Sequence, residues 1–150
     1  LTKFAVKKEH PNYRANYEIF KGIPYAEPPV GSNRWAAPEP VEPWATPKNT
    51  VNFTRQCPQW LGTKAMYDYY ESIDIVGEDC LMLDVWRPIK QYDTKLPIAV
   101  WIHGGAFYFG NSAFIGSHIV QNDLIIVFIQ YRLGIFGCVE NNSSKMRRLG

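Results

Sequence analysis

The stretch LPIAVWIHGGAFYFG, residues 96–110, runs an almost continuous apolar segment into His103, two glycines, an alanine and an aromatic cluster. A short apolar run of this kind predicts a strand buried on both faces of a mostly parallel sheet. The pair Gly104–Gly105 that ends it marks a place where the backbone takes positive φ or approaches something closely.

Two further segments extend the pattern. LMLDVWRP, residues 81–88, alternates and predicts a half-exposed or edge strand, whereas LIIVFIQYRL, residues 124–133, is again almost continuously apolar. SAFIGSHIVQND, residues 112–123, has room for a short helical crossover, with Ser117 as a cap. Strand, gap, strand, gap, strand points to an α/β sheet. Two buried central strands need further strands and covering helices, so the sequence is expected to be part of a longer chain. Upstream, residues 22–44 carry Pro24, Pro28, Pro29, Pro38, Pro40 and Pro43. Proline fixes φ and removes a ladder donor, which predicts an extended, irregular wrap preceded by a short strand around Tyr17–Phe20. Tyr25, Trp35 and Trp44 are expected to pack it down.

Composition narrows the function classes. With 46% hydrophobic and 15% aromatic residues the chain of 150 residues is globular rather than disordered, and a net charge of +2 carries no message. Lysine and arginine are scattered, so no nucleic-acid stripe emerges, and KMRR at 145–148 reads as a solvated tail. The longest apolar run, Leu124–Ile129, is too short to cross a bilayer as a helix. The sequence starts on Leu1 without a signal pattern, the mark of a processed end or a cut. Cys57 and Cys80 enclose residues 58–79 without metal-ligand spacing, which leaves open a disulfide or two buried thiols, with Cys138 left over. Asn52, Asn141 and Asn142 begin N-glycosylation triplets, and with the cysteines they lean towards a secretory protein.

FKGIPYAEPPVGSNRW (20–35), GEDCLMLDVWRP (77–88), WIHGGAFYFG (101–110) and FIQYRLGIFG (128–137) together resemble the type-B carboxylesterase and cholinesterase family of α/β-hydrolases. They stand in the family's order and approximate spacing over about residues 13–138. The resemblance implies the N-terminal portion of an α/β-hydrolase fold, with residues 1–150 a partial carboxylesterase domain cut before the nucleophile elbow. A Gly-Gly after a strand is by itself most often a turn. In register with the other motifs it implies the loop whose backbone N–H groups bind the oxyanion of the tetrahedral intermediate. Carried over by position, the donors are the amides of Gly105 and Ala106, with Gly104 shaping the turn. Many relatives have glycine where this chain has Ala106, and a backbone donor tolerates alanine if its φ stays negative. His103 is expected to orient this loop rather than to act as the base.

The nucleophile signature G-x-S-x-G is absent, and the family's acid and histidine also belong downstream. The resemblance therefore implies a serine carboxylic ester hydrolase as the whole protein and an inactive chain in isolation. It implies no metal or organic cofactor and a small-molecule carboxylic ester as ligand, and it leaves membrane anchoring and oligomeric state open. It pairs Cys57 with Cys80 as the family's first disulfide, pairs Arg34 with Glu78 as a partly buried ion pair, and gives Arg132 a partner outside this chain. Cys138 is expected to be a buried free thiol. Counting back from Cys80, Tyr70 on the gorge rim stands where cholinesterases use a tryptophan for cation-π binding, so a general carboxylester is favoured over choline esters. Asn52 and Asn142 are the glycosylation candidates of a secreted product. After Cys138 the resemblance is expected to fail, since VENNSSKMRRLG replaces the family's N-x-G-x-x-D-Q. The rival reading is a non-catalytic cholinesterase-like adhesion or signalling protein that kept the fold and lost the triad.

Overall fold

The computed structural model describes residues 17–50, 55–60, 62, 76–90, 92–112 and 123–137. The crossover at 112–123 with Ser117, and Asn52, Tyr70, Cys138, Asn141 and Asn142, fall wholly or largely outside these residues.

Four strands form one sheet: β1 (Tyr17–Pro24), β2 (Met82–Pro88), β3 (Ile98–Ile102) and β4 (Ile125–Ile129), in the order β1-β2-β4-β3. The two continuously apolar segments pair in parallel, Ile98 opposite Ile125 through Ile102 opposite Ile129. Parallel neighbours need a crossover connection, which residues 103–124 are long enough to supply. The β1–β2 and β2–β4 pairs are antiparallel, so the described sheet is mixed.

Two strand positions differ from the reading of the side-chain pattern. β2, expected half-exposed or at an edge, meets the first of these, since its side chains are mostly half-buried, and not the second, since it lies inside the sheet between β1 and β4. Alternation reports the two faces of a strand and is silent about its hydrogen-bonding edges. β3 was expected buried on both faces, and it is instead at the end of the described sheet with Ile98 66%, Val100 58% and Ile102 65% exposed. An apolar run registers the need for cover, and among the described residues nothing supplies it.

The buried centre is made by β4. Ile126 and Phe128 point to one face and meet Tyr17, Trp86 and Leu124. Trp86 stacks on Tyr17 with ring centroids 5.3 Å apart and presents an edge to Phe128 at 5.9 Å. Burying a side chain the size of Phe128 contributes about 1.5–3 kcal/mol. β1 carries a register shift between Phe20 and Ile23, where Gly22 has φ of 65° and its amide donates to the buried Asp84 carboxylate at 3.0 Å. Positive φ there is cheap only for glycine.

Residues 25–50 contain one 3-10 turn, Gly31–Asn33, and an isolated bridge between Ala26 and Pro40. Trp35, expected to be packed down, is exposed and lies beside the Arg34 guanidinium, 5.6 Å from its ring centroid.

Candidate active site

β3 delivers His103 at its C-terminal end, and the chain then makes one left-handed turn. The Gly105 carbonyl accepts from the amides of Tyr108 at 3.0 Å and Phe109 at 3.2 Å. Gly105, Ala106 and Phe107 have φ of 123°, 51° and 63°. A β-carbon on Gly105 would overlap the carbonyl oxygen of Phe109, so no other residue fits. The first amides of a helical turn have no partner inside it. Among the described residues those of Gly104, Gly105 and Ala106 accordingly donate no hydrogen bond.

Ala106 does not keep the negative φ on which its tolerance as a donor was expected to depend, although its amide remains without an acceptor among the described residues. Left-handed backbone costs an L-residue about 1–2 kcal/mol, and the Ala106 side chain is exposed, so it gains no packing in return. Ala106→Gly is therefore expected to raise stability by about 0.5–1 kcal/mol after the greater chain entropy of glycine is subtracted. A denaturant midpoint that stays put or falls would show that the turn is not strained.

His103 is buried, and its Nδ1 lies 2.8 Å from the Gly104 carbonyl oxygen. A carbonyl only accepts, so Nδ1 carries the proton and the ring holds the first glycine of the loop in place. The ring stacks on Tyr131, centroids 4.4 Å apart, and the Tyr131 hydroxyl donates to the His103 carbonyl at 2.5 Å. These contacts agree with an orienting histidine.

Four ties anchor the rest of the loop. The Gly134 amide donates to Phe107 O at 2.7 Å, the Trp60 amide to Tyr108 O at 3.3 Å, and Gln59 makes two bonds to Gly110. Gly110, φ 137°, sits where a β-carbon would strike His103 Nδ1 and Gly104 O, so the loop closes back on its own start. Gln59, Gly110 and Tyr131 were not singled out from the sequence. The bonds of Gln59 span 51 residues, and a lone glutamine two positions after a cysteine has no local signature.

The residues around the loop form a second layer. Cys57 and Cys80 are joined by a disulfide, Cα atoms 5.0 Å apart, and both are fully buried. Arg34 and Glu78 form a bidentate, partly exposed pair, with Arg34 Nη2 donating to Glu78 Oε2 at 2.9 Å. Hydrogen bonding to Glu78 raises the Arg34 pKa. Arg132 is buried and donates to the carbonyls of Arg34 and Ala36, both at 3.0 Å, which draws the N-terminal segment against the end of β4. Burial lowers its pKa, and burial likewise raises that of Tyr25, whose hydroxyl donates to Gln130 O at 2.7 Å. A mainly apolar cavity of about 410 Å³ lies between these parts, lined by Tyr25, Leu83, Ile129, Tyr131 and Arg132 among others, and it does not include the loop amides. No grouping of His, Cys, Asp and Glu among the described residues is placed to hold a metal ion.

Residues 6–148 match the model of the carboxylesterase family. The match passes Cys138, so the likeness extends further at both ends than the quoted motifs. Carboxylesterase 1D of Rattus norvegicus is 38% identical over 128 residues, covering 79% of this chain and 23% of the relative. A probable cholinesterase of Acanthamoeba polyphaga mimivirus is 39% identical over 126 residues, covering 79% of this chain and 21% of that protein. Among solved structures, a thermophilic PNB esterase superposes with a TM-score of 0.79 at 35% identity over 92% of this chain and 29% of its own. A second PNB esterase gives 0.76 at 34% over 91% and 28%. The chain thus spans roughly a quarter of the length of these relatives.

Proposed function

The chain belongs to the carboxylesterase family, and from that premise we propose that it is the N-terminal part of a serine carboxylic ester hydrolase and supplies its oxyanion-hole loop. The observation that carries the reading is the pair of adjacent amides, Gly105 and Ala106, without an acceptor among the described residues at the start of a left-handed turn that follows a parallel strand. In the whole protein a downstream serine adds to the ester carbonyl while a histidine, supported by Glu or Asp, takes the serine proton. The carbonyl oxygen becomes an alkoxide, and the amides of Gly105 and Ala106 donate to it; Gly104, tied to His103, shapes the turn. The histidine returns the proton to the departing alcohol. Water then repeats the cycle on the acyl-serine and releases the acid.

Residues 1–150 alone carry donors and no nucleophile, so the isolated chain is inactive. The substrate is a general carboxylic ester, since Tyr70 replaces the cation-binding tryptophan. A disulfide fits an oxidising, secretory compartment, with Asn52 and Asn142 as glycan acceptors.

The test is hydrolysis of p-nitrophenyl butyrate by the whole protein, together with labelling by a serine-directed fluorophosphonate. Turnover with labelling is expected. Neither, with a correctly folded protein, would overturn the esterase reading and leave the adhesion or signalling alternative.

A further inference from the structure

We propose that Gln59 is a positioning residue for the loop 103–110, its carboxamide holding the loop closed so that the Gly105 and Ala106 amides stay in register. The proposal rests on the oxyanion reading above. Gln59 Nε2 donates to Gly110 O at 2.9 Å, and its Oε1 accepts from Gly110 N at 2.8 Å. One planar group thus meets both backbone groups of a single residue. This double contact also fixes which end of the amide is which, because the N–H needs an acceptor and the carbonyl a donor.

Gly110 is the point at which the position matters. The space for a β-carbon there is taken by His103 Nδ1 and Gly104 O, so whatever holds Gly110 holds the start of the loop. The turn between them is strained, with Ala106 and Phe107 both at positive φ and exposed, and has little packing to keep it. Gln59 is itself anchored: Nε2 also lies 3.2 Å from the carbonyl oxygen of Cys57, which is fully buried in the disulfide with Cys80. The neighbouring Trp60 amide adds a bond to Tyr108 O. The clamp therefore ties the loop to the disulfide, beside the bond of the Gly134 amide to Phe107 O on its other side.

A glutamine is needed because the group must donate and accept at once. A protonated glutamic acid can do the same; a carboxylate cannot, and it would set a negative oxygen against the carbonyls of Gly110 and Cys57. The titratable groups around the clamp are the His103 imidazole beside Gly110 and the Tyr108 phenol on the loop. On the disulfide side the Arg55 guanidinium lies over Gly77.

The experiment uses the whole protein and compares Gln59→Glu and Gln59→Leu with the unsubstituted enzyme on p-nitrophenyl butyrate from pH 5 to 8.5. For Gln59→Leu, kcat is expected to fall about 10- to 100-fold by the same factor at every pH, with KM within about threefold, since a loosened donor is felt mainly in the transition state. For Gln59→Glu, whose carboxyl is ionised over nearly all of this range, kcat at pH 7 and above should fall at least as far as for Gln59→Leu. A Gln59→Leu enzyme within twofold of the original kcat overturns the proposal, as does a Gln59→Glu enzyme within twofold of it at pH 8. If the unsubstituted protein hydrolyses no ester, the oxyanion reading fails by itself, and hydrogen exchange decides the clamp. Loss of at least tenfold protection at the Phe109 amide, which donates to Gly105 O within the turn, supports it in Gln59→Leu, and unchanged protection there overturns it.

Discussion

Gly105→Ala is expected to lower kcat of ester hydrolysis by the whole protein at least 100-fold while the protein still folds. The added β-carbon would overlap the Phe109 carbonyl oxygen, and the φ of 123° lies where L-residues are strained. Both faults are in the backbone, so no side-chain rotation relieves them, and the turn from Gly105 to Phe109 must open. The amides of Gly105 and Ala106 then leave the positions from which, in the proposed mechanism, they donate to the oxyanion. Loss of one such donor typically costs about 100- to 1000-fold in rate, and here two move together. The buried centre, Ile126 and Phe128 with Tyr17, Trp86 and Leu124 packed on it, includes no residue of the turn. The matching substitution, Gly104→Ala, has nothing within 4 Å of its β-carbon, and its effect on the denaturant midpoint should be small. Measured kcat for Gly105→Ala within fivefold of the original would show that the loop tolerates the crowding or that these amides are not the donors.

Replacing Cys57 and Cys80 together by alanine is expected to remove roughly 3 kcal/mol of stability. In the chain-entropy model the loss follows from releasing the loop closed by a bridge of sequence separation 23, and loops of that size give about this value. Both cysteines are fully buried, so the alanine pair also leaves unfilled space in the interior. The effect should reach the active site, because Gln59 leans on the Cys57 carbonyl and Trp60 on the loop. Denaturant midpoints of the oxidised protein and the double variant measure the first effect. A difference below about 1 kcal/mol would show that the disulfide constrains little beyond what the fold already does.

The partners of these interactions were legible to different degrees. Arg34 with Glu78 and Cys57 with Cys80 come from motifs whose resemblance carries a pairing, and the structure brings both pairs together. Arg132, whose ion-pair partner is expected outside this chain, is held within the described residues by the carbonyls of Arg34 and Ala36, which the sequence did not point to. Carbonyl acceptors belong to every residue alike and leave no trace in residue types. Trp35 failed as an anchor for the same class of reason: a large apolar side chain states a preference for cover and does not say whether the backbone route provides it.

By itself the sequence determined where the strands run, that a turn bearing glycines follows β3, and to which family the motifs belong. These follow from local properties: apolar periodicity, the absence of a β-carbon, and motif spacing. Only the tertiary structure decided that β2 lies inside the sheet and β3 at its described end, that Ala106 and Phe107 turn left-handed, and that Gln59 closes the loop. Strand order and long-range clamps are set by backbone hydrogen bonds between residues far apart in the chain, and those groups are the same in every residue.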